Sequence, residues 1–160
     1  YFNQKISIIG NFPYNISSQI LFKVYENKDL IDEVVGMFQK EVAERVSSTT
    51  GKKRGILSVL IQVFYKVEYC LTISENSFNP PPKVKSAVIK LTRNRRRKLD
   101  CNEKLFKQII KSAYNQRRKT LRNALKSFNL KMNDEINHLL TLRAEKLSVE
   151  DFIKITKSVC

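Results

Sequence analysis

Asn11-Phe12-Pro13-Tyr14 stands directly behind the apolar run Ile6-Ser7-Ile8-Ile9-Gly10, and its residue types suit one demanding reaction, methylation of the exocyclic amine of a nucleobase. The lone pair of such an amine is delocalised into the ring. The nitrogen attacks an electrophile only if hydrogen-bond acceptors pull it toward tetrahedral geometry as charge develops. The Asn11 side-chain oxygen and the Phe12 backbone carbonyl, held by the rigid Pro13, would make such a preorganised pair. Tyr14 offers a ring for a base taken out of its helix, returning roughly 1–3 kcal/mol of lost stacking. The same four residues also suit a plain strand-to-helix turn, because Asn and Pro favour turns and Tyr often anchors loops.

The elements around the motif have to place it. Ile6 to Gly10 reads as a strand, and Asn15-Ile16-Ser17-Ser18 supplies Asn and Ser side chains that can cap a helix running through Gln19 to Tyr25. A polar motif at the carboxyl end of a strand, leading into a helix, is where open α/β sheets place ligands. A strand near 34–39 and a helix near 40–47 continue the alternation. Ser47 to Gly55 is polar, basic and rich in small residues, and reads as a mobile loop. Ile56 to Tyr65 is apolar and fits either helix or strand. Lys66 to Ser74 and Lys85 to Thr92 read as strands from their Val, Tyr, Ile and Thr content, separated by a loop with three consecutive prolines. Phe78 sits on that loop. Proline stiffens the segment enough to hold a ring in place, although an ordinary core position above a proline-shaped turn fits as well.

Asn11-Phe12-Pro13-Tyr14-Asn15-Ile16-Ser17-Ser18 resembles the catalytic motif of the ribosomal RNA adenine dimethyltransferases, the KsgA family. Phe38 to Arg45, Phe78 to Val88, Gln116 to Asn123 and Arg143 to Phe152 resemble further family blocks in the same order, from one end of the chain to the other. The resemblance implies the closing part of a Rossmann-like methyltransferase sheet over residues 1–93, followed by a small all-α RNA-binding domain over residues 94–160. It favours a helix for the Ile56 segment and an antiparallel pair at the sheet's end. It also implies S-adenosyl-L-methionine as methyl donor, with Asn11 as one contact. In the catalytic set Asn11, Phe12, Pro13, Tyr14 and Phe78, Phe78 would face the flipped adenine from the side away from Tyr14. The family's Gly-rich turn and acidic cofactor residues precede its Asn-Pro-Tyr motif. Only ten residues precede Asn11, and the glycines at 10, 36, 51 and 55 make no G-x-G-x-x-G pattern. The chain is therefore expected to be the carboxyl-terminal part of a longer enzyme and, taken alone, to bind RNA weakly without methylating it.

Charge organises the rest. The formal net charge is +15, and thirteen Lys or Arg lie between Arg93 and Lys126 against only Asp100 and Glu103. Such a block is a footprint for a polyanion. Helical periodicity places Leu105, Phe106, Ile109, Ile110 and Ala113 on one face of a helix near 103–115. A second helix near 119–128 would bury Leu121, Ala124, Leu125 and Phe128. Arg95, Arg96, Arg97, Lys111, Arg117, Arg118, Lys119 and Arg122 are the expected RNA contacts, with Gln116 to Lys119 at the junction of the two helices. For Arg95 to Lys98, a solvated or disordered linker fits equally. Aromatics are sparse here, which favours recognition of folded RNA by shape and backbone. Ser148-Val149-Glu150-Asp151 reads as a helix N-cap.

No apolar run approaches the ~20 residues of a membrane helix, and no signal-peptide pattern opens the chain. Cys70, Cys101 and Cys160 are odd in number and lack metal-like spacing. His138 reads as a helix-surface or partly buried group, so no metal site is expected. The expected activity is N6-dimethylation of adenines in small-subunit ribosomal RNA on the immature small subunit, by a cytoplasmic monomer. Two alternatives are a non-catalytic ribosome-assembly or transcription factor on the same fold, and a large-subunit relative conferring antibiotic resistance. A pure binder has no need of paired acceptors, and Gln116 to Asn123 resembles the small-subunit branch more closely. Gln39 and Glu41 are expected to tether the neighbouring loop rather than to act as an acid/base pair.

Overall fold

The computed structural model describes residues 4–160, so the first three residues of the expected sheet portion lie outside it. Four strands, β1 (Ile6–Asn11), β2 (Ile31–Gln39), β3 (Tyr65–Ile73) and β4 (Ser86–Arg93), form one sheet in the order β1-β2-β4-β3. β1 and β2 run parallel and are connected by helix α1 (Ser17–Glu26), while β4 is antiparallel to both its neighbours. The parallel pair joined by a helix, and the closing antiparallel pair, match the expected α/β class.

Alternation decides which face is covered. Val34 and Phe38 on β2 and Ala87, Ile89 and Leu91 on β4 are buried beneath α1, α2 (Lys40–Ser47) and α3 (Ile56–Gln62). The other face stays open. Ile9 is 85% exposed and Leu71 50%, and Ile9 lies in register with the half-buried Val35.

The Ile56 segment is helical to Gln62, after which Tyr65 opens β3. The preceding loop is pinned rather than mobile. The Arg54 side chain is 1% exposed and donates to the Ser48 carbonyl at 3.0 Å and to Gln62 Oε1 at 2.9 Å. The Gly51 amide donates to the Glu145 carbonyl at 2.9 Å, and Gly51 turns through φ +85°, the left-handed region that suits glycine.

Helices α4 (Glu103–Asn115), α5 (Leu121–Ala124), α6 (Asp134–Thr141) and α7 (Val149–Lys157) follow the sheet. Of the apolar stripe that spacing predicts for α4, Phe106, Ile109, Ile110 and Ala113 are buried and Leu105 is half-buried. Tyr114 stacks on Phe152 of α7 at 6.1 Å. The second basic helix is shorter than expected, a single turn at Leu121–Ala124. Beyond it the chain is drawn toward the carboxyl terminus, where Leu130 bridges Val159 and the Lys131 amide reaches the Ser158 carbonyl at 2.6 Å. Ser148 and Asp151 form the expected capping box.

Candidate active site and nucleic-acid surface

Asn11 is the last residue of β1. Its side chain is exposed and makes no hydrogen bond among the described residues. The next residue turns inward: the Phe12 ring stacks on Phe38 with centroids 5.0 Å apart and lies against Gly36. The Phe12 amide donates to the Met37 carbonyl at 3.2 Å, whereas the Phe12 carbonyl accepts no backbone hydrogen bond among the described residues. The turn closes one residue later. The Pro13 carbonyl accepts from the Ile16 amide and from Ser17 Oγ, both at 3.2 Å. Ser17 therefore donates back into the turn, and no side chain caps α1, whose N-cap position falls on Ile16. That corrects the expected Asn or Ser cap. The result is two adjacent acceptors, Asn11 Oδ1 and Phe12 O, at the carboxyl end of a strand and unengaged by the fold.

Tyr14 is half-buried in a 3-10 turn, and its hydroxyl is hydrogen-bonded to Ser86 Oγ, the first residue of β4. Phe78, also half-buried, ends the short turn Glu75–Ser77 on the loop between β3 and β4. Its amide donates to the Glu75 carbonyl at 3.3 Å. Where that loop rejoins the sheet, the Lys40 amide donates to the Lys85 carbonyl at 2.9 Å. Topology thus brings Asn11, Tyr14 and the Phe78 loop to one end of the sheet. The two rings do not stack on one another.

Two residues that shape this end of the sheet escaped the sequence. Gly36 makes room for Phe12, and Ser86, wholly buried, holds Tyr14. Gly36 lies in no informative local pattern, and Ser86, although inside the Phe78 to Val88 block, carries no assigned role there; each is explained only by a partner far along the chain. The tethering assigned to Gln39 and Glu41 falls to their neighbours. Glu41 pairs with Arg45 of its own helix at 2.6 Å, whereas Glu44 holds Lys53 of the loop at 2.7 Å and Gln62 Nε2 donates to the Val46 and Ser48 carbonyls.

Among the basic residues, Arg95, Arg97, Lys111, Arg118, Lys119 and Arg122 are exposed and make no ion pair among the described residues. Arg96 differs, since it is paired with Glu150 at 2.5 Å. Arg117 is exposed, but one of its amino groups donates to the Lys52 carbonyl at 2.6 Å and the Arg54 carbonyl at 3.0 Å. The segment after β4 is ordered by Arg93, which donates to the carbonyls of Lys28, Phe64 and Arg96. Lys107 extends the basic surface toward α1, with Nζ 5.5 Å from the Tyr25 ring centroid. The three cysteines are free, His138 is exposed, and no group of three metal-ligating side chains occurs among the described residues.

Residues 1–159 match the family model described as ribosomal RNA adenine dimethylase. The chain is 57% identical over 156 residues to the ribosomal RNA small subunit methyltransferase A of Bacteroides thetaiotaomicron, covering 95% of this chain and 58% of that protein. It is 56% identical over 162 residues to the protein of the same name from Flavobacterium johnsoniae, covering 99% and 61% respectively. The chain thus spans about three fifths of the length of these curated relatives. In structure it resembles a dimethyladenosine transferase from Plasmodium falciparum, with a TM-score of 0.80 and 26% identity over 97% of this chain and 66% of that one. The 23S rRNA methyltransferase ErmE shares the fold, with a TM-score of 0.73 and 16% identity over 99% of this chain and 67% of that one. A family match over nearly the whole chain, a Rossmann-like sheet and an Asn-Phe-Pro-Tyr turn at its edge agree: the chain belongs to the ribosomal RNA adenine dimethylase family.

Proposed function

We propose that the protein dimethylates N6 of adenines in small-subunit ribosomal RNA, acting as a cytoplasmic monomer on the immature small subunit. The single observation that carries this reading is the pair of unengaged acceptors, Asn11 Oδ1 and Phe12 O, beside Tyr14. The two N–H groups of the adenine amine donate to them, which draws the nitrogen lone pair out of conjugation as it attacks. After transfer the alkylated nitrogen is strongly acidic and loses its proton to water without a dedicated base. Tyr14 and Phe78 hold the ring from opposite sides and offset the cost of flipping it. Bound S-adenosyl-L-methionine supplies the electrophilic methyl group. The free Asn11 amide fits one polar contact to it, and the part of the relatives' length not spanned here would supply the rest of that site.

Residues 94–160 serve as the RNA-docking part, with Arg95, Arg97, Lys111, Arg118, Lys119 and Arg122 meeting phosphates. The relatives' names and the Gln116 to Asn123 block support the small-subunit substrate over the large-subunit one. No described helix is long and apolar enough to cross a membrane.

The test uses labelled S-adenosylmethionine and immature small subunits. In the protein at the length of its curated relatives, Asn11→Ala lowers transfer by roughly 100-fold or more, the scale of losing one preorganised group in a transition state, and leaves subunit binding intact. Collapse of binding would make Asn11 structural. Residues 1–160 alone bind RNA without transferring methyl groups.

A further inference from the structure

We propose that Ser86 is a positioning residue that fixes the Tyr14 ring against the base, a role that rests on the adenine-holding function given to Tyr14 above. Ser86 is the first residue of β4, in register with Gln39 at the end of β2 and Ile73 at the end of β3, so three strand ends meet at it. It is 0% exposed and cannot touch the substrate itself. Its hydroxyl is nevertheless hydrogen-bonded to that of Tyr14, which lies 72 residues earlier and reaches past the end of β2 to make the bond. The Tyr14 hydroxyl has no other side-chain partner among the described residues.

A half-buried tyrosine needs a partner for its phenol, and which partner it takes fixes the ring. Bonded to Ser86, the phenol is committed to the sheet. The ring plane is then set while its face remains free for stacking, and the hydroxyl no longer competes for the edge of the base. Untethered, the same ring swings toward water. Because Ser86 opens the strand that follows the Phe78 loop, the bond also joins the two ring-bearing segments, which share no strand-to-strand pairing. A hydroxyl on the smallest suitable side chain meets the demand at this wholly buried position.

The proposal is tested in the protein at the length of its curated relatives by single-turnover methyl transfer with saturating RNA. Ser86→Ala slows transfer by roughly fivefold to tenfold, the scale of one hydrogen bond, and leaves RNA affinity within about twofold. Tyr14→Phe, which keeps the ring and removes the same bond, slows it equally, and the double variant is no slower than either single one. Losses that multiply in the double variant, or a Tyr14→Phe variant as fast as the parent, overturn the proposal. A Tyr14→Ala variant that transfers at the parental rate removes the adenine-holding role, and this proposal with it. A slow Tyr14→Ala variant combined with multiplying losses removes the Ser86 proposal alone.

Discussion

The Phe12 ring occupies the space that a side chain at position 36 would fill. A Cβ built on Gly36 would lie 2.4 Å from Phe12 Cε2 and 2.7 Å from Phe38 Cε2, both contacts with rings already stacked on each other. The absence of a side chain in the middle of β2 thereby sets where Phe12 turns inward, and with it the direction of the Asn11 and Phe12 acceptors. Gly36→Ala is expected to destabilise the fold by about 1–3 kcal/mol, as overpacking does. At Gly10 the nearest contact would be 3.2 Å, again to Phe12, so Gly10→Ala is expected to cost less. Urea denaturation of the two variants checks the order; equal stabilities would show that Phe12 moves aside freely.

The contact from Arg117 to the Lys52 and Arg54 carbonyls ties the loop after α2 to the end of α4. Arg117→Ala leaves two carbonyls without a charged donor and is expected to cost about 1–2 kcal/mol. The loosened loop carries Lys52 and Lys53, both exposed. Limited trypsin digestion is therefore expected to cut there faster in Arg117→Ala than in the parent, and Arg118→Ala is expected to match the parent. Equal cutting in all three would show that the Gly51 and Arg54 contacts hold the loop without Arg117.

Much of the fold around this site is legible in the residue types alone. The strand-end motif, the helix over Glu103–Asn115 and the Ser148 cap follow from residue types at fixed local spacing, which is what a linear pattern records. Gly36, Ser86 and the pinned loop around Arg54 do not. A glycine in a strand and a serine among Val and Ile look neutral until a ring from another strand or a tyrosine 72 residues away is placed against them. The second basic helix was overextended for a related reason. Its apolar spacing continues to Phe128, but beyond Ala124 the backbone loosens into a turn, in which the Phe128 amide donates to the Leu125 carbonyl, and then enters the pairing of Asn129 to Lys131 with Ser158 to Cys160, which lies outside any local window.

The basic surface divides into cations the fold uses and cations it leaves free, and salt dependence of the proposed RNA binding separates them. Arg118, Lys119 and Arg122 are exposed without ion pairs among the described residues. Replacing all three with Ala is expected to reduce the slope of log affinity against log salt by about 2 to 3, at roughly 0.7 to 0.9 per phosphate contact. Stability should change little, since surface substitutions away from special features stay within about 0.5 kcal/mol each. Arg96→Ala gives the opposite pattern. It breaks the pair with Glu150 and leaves the salt slope close to that of the parent. A slope unchanged by the triple replacement would remove the docking role of this surface.

Alkaline stability follows from the buried phenols. Tyr65 donates to the Ile31 carbonyl at 2.9 Å and Tyr114 to the Ala144 carbonyl at 3.3 Å. Burial, opposed by nearby Arg93 and Arg54 respectively, pushes both phenols up to about 12. A phenolate is thus disfavoured in the folded chain relative to the unfolded one, where the ordinary value is about 10. The stability each ring contributes is fully present below about pH 10 and is lost as pH rises through about 12, a fall of roughly 3 kcal/mol per ring. Tyr65→Phe leaves the Ile31 carbonyl without its partner and is expected to cost about 1–2 kcal/mol at pH 8. Because the variant has no phenol to ionise at that site, its deficit against the parent should narrow as urea denaturation is repeated at pH 10, 11 and 12. A deficit constant across that range would show that Tyr65 titrates alike in the folded and unfolded chains.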